Sequence, residues 1–129
     1  MAFEEDVLDL ALIAGEDLYS STVNYQYHFV KLSADNTVVH CDGATDLAIG
    51  VLQNQPKSGQ VARIRVFGVS RVYIGTATFA FSDKVGTDAS GHGIAKTLTT
   101  TIFLGEAIMG GASTAMGTVL LHPPHTISA

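Results

Sequence analysis

The sequence predicts an all-β fold, a small barrel or sandwich with an extended N-terminal arm and little helix. Three observations predict it. From residue 25 onward glycine recurs at short intervals, at Gly43, Gly50, Gly59, Gly68, Gly75, Gly86 and Gly91. The segments between are rich in Val, Ile, Thr, Tyr and Phe, the composition of short strands joined by turns. A chain of 129 residues without a linker or low-complexity stretch is the size of one domain. Such a chain buries roughly two-thirds of its extended surface in a single core.

The N-terminal segment differs from the rest. The first 17 residues hold Glu4, Glu5, Asp6, Asp9, Glu16 and Asp17, half of the twelve acids, and no base. Interleaved with these are Phe3, Val7, Leu8, Leu10, Leu12 and Ile13. Residues 3–14 fit a short amphipathic helix ended by Gly15, an extended arm with Leu8, Leu10 and Leu12 on one face, or a frayed terminus. Residues 1–18 are therefore set apart as an arm, and 19–129 as a single β domain.

Strands are expected near 26–32, 36–41, 47–52, 60–67, 70–75, 77–81, 97–103 and 115–121. The clearest alternation is "QVARIRVFG", where Ala62, Ile64 and Val66 point to a core. Val61, Arg63, Arg65 and Phe67 point the other way. With Arg71 close by, Arg63 and Arg65 make either a solvated wall or a polar docking face for acidic partner groups, the acidic arm of a neighbouring copy among them. "GEAIMGGASTAMG" (105–117) is too glycine-rich for a stable helix and is expected to be a loop or a single helical turn.

Composition excludes several functions. The net charge of -5 leaves no cationic surplus for binding phosphates, so no nucleic-acid partner is expected. No apolar run is long enough to cross a bilayer, and "MAFEEDVLDL" lacks the basic start of a signal peptide, so synthesis in a cytoplasm and no membrane partner are expected. One cysteine excludes an internal disulfide framework. Charged residues make up 15%, against roughly 25% in an average domain. A surface so poor in charge is expected to be covered by copies of the chain or by a partner.

No group of residues makes a convincing catalytic, cofactor or metal site. His40 and Cys41 are neighbours on a strand and so face opposite ways, which denies the thiol its base. Asp42 and Asp46 bracket a turn, "DGATD", where a glycine accepts positive φ and the Asp holds turn amides. "HPPH" (122–125) supplies two imidazoles where zinc needs three or four ligands, and its prolines predict the end of the fold and the start of a tail. "GTDASGHGIAK" lacks the glycine spacing of a phosphate-binding loop.

The order of the pieces carries a resemblance. "LIAGEDL", then "YQYHFVKLSADNTVVHCDGATDLAIGVLQNQPKSGQVARIRVFGVSRV", then "GTDASG" and "LGEAIMGGASTAMGTVLL" resembles the small capsid decoration (cement) proteins of tailed bacteriophages, of the lambda type, over about residues 12–121. The resemblance implies a β-tulip-like or small barrel fold and no enzymatic activity. It also implies homotrimers bound to the major capsid protein on the outside of an expanded capsid, at three-fold and quasi-three-fold positions, resisting internal DNA pressure. The arm residues Phe3, Val7, Leu8, Leu10 and Leu12 would then bind the capsid by adding a strand to its sheets. The alternative is a β-barrel binding module on a virion, for glycans or as the base of a head fibre.

Overall fold

A computed structural model describes residues 7–76, 78–97 and 101–127. It contains nine strands: β1 (Leu8–Ala14), β2 (Phe29–Ala34), β3 (Thr37–His40), β4 (Ala48–Leu52), β5 (Val61–Tyr73), β6 (Lys84–Thr87), β7 (Gly93–Ala95), β8 (Ile102–Met109) and β9 (Met116–Thr126). No helix occurs among the described residues.

The strands form a barrel that shares one strand with a second sheet. β1 pairs in parallel with β3 and antiparallel with β5, so the order β1-β3-β2-β4-β5 closes on itself as a five-stranded barrel. Closure removes exposed edges from that half of the molecule. β5 is longer than the barrel needs. Its first half, to Phe67, pairs with β1, and from Gly68 to Tyr73 it pairs with β9, which leads into β8, β6 and β7. The handover falls at Gly68, whose φ of 100° lies where side chains other than glycine are disfavoured.

Two cores result, with β2 and β4 as the wall between them. Successive residues of a strand point to opposite faces. Phe29, Ala48 and Val51 thus pack outward against Val72, Ile74, Phe79, Leu104, Val119 and Leu121 of the second half. Val30 and Leu52 pack inward with Ala14, Val38, Ala62 and Ile64 inside the barrel. Each such fully buried aliphatic or aromatic side chain contributes about 1.5–3 kcal/mol. Gly50, in the dividing wall, has no room for a side chain: a Cβ there would collide with the carbonyl oxygen of Arg65 and lie 2.9 Å from Ile64 Cγ2.

Several elements depart from the sequence expectations. Residues 8–14, placed in the arm, are the strand that closes the barrel, and the extended alternative holds there over the helical one. A register shift between Leu8 and Asp9 separates the three leucines: Leu12 packs on the barrel core and Leu10 lies opposite Ile64, whereas Leu8 lies opposite exposed Phe67. The strands expected at 60–67 and 70–75 are one, because Gly68 bends the chain without ending it. Residues 78–81 form no strand, and Ala77 is outside the described residues. In place of a strand at 97–103, β7 ends at Ala95 and β8 starts at Ile102, with 98–100 outside the described residues. β6 was not foreseen, and Gly105–Met109 belongs to β8 rather than to a loop. β9 continues through "HPPH" to Thr126. It can do so because Phe103 faces His125 while Gly105 faces Leu121; the excess residues on β9 hold both prolines, which have no N–H to donate.

Candidate functional site

The cluster His40, Cys41, Asp42 and Asp46 resolves into separate structural roles. Cys41 is fully buried in the outer core, and burial pushes its thiol up to about 12. His40 faces the opposite way, stacked on Tyr25 at 4.1 Å, with Nδ1 bonded to the Glu16 carboxylate. Asp46 accepts the amides of Asp42 and Gly43, fixing the turn. Both carboxylates also meet Lys31 of β2, at 2.6 Å from Asp42 and 2.9 Å from Asp46. The hydrogen bonds that Lys31 donates to Asp42 and then Asp46 raise the lysine's pKa, and the Lys31 contact depresses that of Asp46. Lys96, largely buried, donates from Nζ to the Ala44 carbonyl at 3.1 Å and ties the second sheet to this turn. Burial lowers its pKa. At the other end, His122 faces Glu106 through Nε2 and the Pro123 carbonyl through Nδ1, each at 2.8 Å, so both nitrogens are engaged.

Two polar grooves lie along the seam between the barrel and the second sheet. One, of about 370 Å³, is lined by Asn24, Gln26, His28, Tyr73, His92 and Met116. His28 is buried in its wall, stacked on Tyr73 at 5.2 Å, 4.8 Å from His92 and edge-on to Tyr25 at 5.5 Å. Burial lowers its pKa to about 4, so the ring is neutral near pH 7. The other, of about 420 Å³, sits where β4 leaves β5 and is lined by Tyr27, Gln53, Arg65, Val69, Ser70, Arg71 and Thr118. Tyr27 is held at its edge by a backbone with φ of 65°.

The expected arm and docking residues divide between interior and surface. Val7, Leu8 and Leu10 are exposed, Leu12 is half-buried in the barrel, and Phe3 lies outside the described residues. Of the arginines, Arg65 bonds Asp9 through Nε at 2.9 Å, and Arg63 reaches the same carboxylate at 3.3 Å. The acidic segment therefore meets these two cations within its own chain. Arg71 is exposed and has no carboxylate partner among the described residues.

Sequence reasoning missed part of a set of exposed apolar side chains, of which Phe81, at 75% exposure, is the most open. Leu8 and Phe67 lie side by side on the outer wall, as do Ile13 and Val61. Leu120, opposite Val69, extends the apolar surface onto the second sheet. The Ser82 N–H donates to the Ala107 carbonyl, which brings Phe81 alongside exposed Ile108 and Met109. Leu8 was expected as an arm residue, and Val61 and Phe67 were legible as the outward members of the β5 alternation; Phe81, Ile108, Met109 and Leu120 were not. The surface offers apolar contact and hydrogen bonding.

No protein-family profile and no curated sequence matches the chain. Among solved structures, the head fiber gp8.5 N base of bacteriophage phi29 is similar, with a TM-score of 0.64 over 90% of this chain and 94% of that one, at 13% sequence identity. At this identity the likeness is one of fold, and it bears out the all-β small barrel.

Proposed function

We propose that this chain is a structural protein of a bacteriophage head. It docks as a decoration (cement) protein on the outer surface of the expanded capsid, as a homotrimer, and holds adjacent capsomers against internal DNA pressure. The observation that carries the reading is the exposure of two apolar pairs, Leu8 with Phe67 and Ile13 with Val61, which flank the Asp9–Arg63–Arg65 ion pairs on a chain with so little charge. It is supported by a fold in common with a phage head-fiber base over nine-tenths of both chains. The proposed role needs no catalysis, and the state of Cys41 and His40 supports it against a thiol nucleophile: the buried Cys41 thiol is far from ionised near pH 7, and its neighbour His40 is engaged with Glu16. Each copy binds weakly, and repetition over the capsid lattice supplies the avidity.

A second reading, the base of a head fibre, is favoured by the same fold likeness. One experiment separates the two. Purified protein is incubated with expanded, DNA-filled heads and with unexpanded precursors, pelleted, and imaged by cryo-electron microscopy. Decoration predicts density at every three-fold and quasi-three-fold position and heads that better survive heating. A fibre base predicts density with a projecting partner and no gain in head stability. Failure to bind either particle refutes both. Because β1 closes the barrel, truncation to test the arm must stop at residue 6.

A further inference from the structure

The groove of about 420 Å³ has an unequal supply of donors and acceptors. In an antiparallel ladder, alternate residues turn their N–H and C=O groups to opposite edges. Along β5 the even residues serve β1 and β9, and the residues just outside it show the phase: Gln60 accepts from Ala14, and Ile74 donates to Ala115 and accepts from Thr114. The odd residues face the other edge, where Arg63 accepts from Gln53 and Tyr73 donates to Tyr27. Val69 and Arg71 are odd, so their backbone groups project into the groove. Their carbonyls are taken, Val69 O by Arg65 Nη1 at 2.9 Å and Arg71 O by Ser70 Oγ at 2.8 Å. Their N–H groups have no partner among the described residues. Neither has the Tyr27 phenol, nor the Arg71 guanidinium.

Gln53 adds one acceptor. Its side chain is buried, with Nε2 bonded to Val51 O at 3.1 Å and to Ser70 Oγ at 2.9 Å, which leaves Oε1 without a partner among the described residues. The open functions are therefore two backbone N–H groups, a phenol, a guanidinium and a single amide oxygen. A free anion would satisfy the donors alone. An extended peptide carrying a carboxylate satisfies all of them, its carbonyls meeting the β5 N–H groups, one N–H meeting Gln53 Oε1 and its carboxylate meeting Arg71.

The geometry points to this notch as a docking site for an acidic, extended segment of a partner protein, added along the free edge of β5 at Val69 and Arg71. The free edge is only a few residues long, which protects the chain from pairing with itself. Specificity comes from Arg71, the arginine of β5 that Asp9 leaves unpaired.

The test is an NMR titration of the ¹⁵N-labelled protein with a synthetic Val-Glu-Val-Asp-Val peptide, its Gln/Asn counterpart and acetate. The acidic peptide is expected to shift the Val69 and Arg71 amides saturably and to slow their hydrogen exchange. Arg71→Ala, at an exposed and unpaired position, is expected to keep the fold and weaken binding by roughly ten-fold or more, with Arg71→Lys intermediate. Lys57→Ala, at another exposed cation outside the groove, should leave binding unchanged. The inference is overturned if those two amides do not respond, if the neutral peptide binds equally well, or if acetate alone reproduces the slowed exchange.

Discussion

Acidification should weaken the fold through His28, and the size of the effect follows from its surroundings. The ring is buried among Tyr25, Tyr73 and His92, with Asp88 and His40 further off, and its one hydrogen bond among the described residues is donated from Nδ1 to the Gln26 carbonyl at 3.1 Å. Its pKa falls from 6.5 to about 4, with burial the main cause. In the unfolded chain the imidazole takes up a proton below pH 6.5, whereas in the folded chain it does so only below about 4. Stability from this group is therefore constant above pH 6.5, declines between 6.5 and about 4, and is constant again below.

At 1.36 kcal/mol per pKa unit the full loss is roughly 3 kcal/mol, of which about 2 kcal/mol falls between pH 7 and pH 5. For 129 residues, with an unfolding entropy of about 2.1 cal/mol/K each, that is a drop of about 7 °C in Tm. His28→Phe keeps a ring in the same wall and removes the titration. Unfolding followed by circular dichroism at pH 7, 6 and 5 should give the native protein a decline steeper than the variant's by about 2 kcal/mol. Parallel curves would refute the reasoning, whatever the variant's absolute stability.

Two further outcomes follow from the packing. Gly50→Ala drives a Cβ into the Arg65 carbonyl oxygen and should cost roughly 2–3 kcal/mol in urea unfolding; an unchanged midpoint would show that β4 and β5 separate without penalty. Cys41 should resist thiol reagents in the folded protein and react on denaturation, and Cys41→Ser should retain all binding to phage heads.

The barrel wall was legible because one of its faces is core. The alternation of Ala62, Ile64 and Val66 against Arg63, Arg65 and Phe67 can be read from the period of two alone, and the structure agrees with it. What was not legible depends on partners distant in sequence. In the sequence Asp9 is one acid of an N-terminal arm, yet it is neutralised by Arg63 and Arg65, more than fifty residues on. Gly68 has the local signature of a turn, and only the exchange of β1 for β9 along one edge makes it the bend of a continuous strand. The prolines at 123 and 124 read as a stop, and a surplus of β9 residues over β8 absorbs them. Arg63, Arg65 and Arg71 look equivalent in the sequence, and which of them stays unpaired is decided by where β1 ends.

The wall of β2 and β4 also sets a hazard for the growing chain. Every barrel strand has been synthesised once β5 passes Phe67, so that half can close early. The outward side chains Phe29, Ala48 and Val51, and the Cys41 thiol beside them, then have no cover until β8 and β9 emerge some fifty residues later. During that interval the nascent protein displays a sticky apolar face, and its one cysteine is open to oxidation. The demand on chaperones is thus greatest at the half-finished molecule, and the second sheet acts as the cap that ends its exposure.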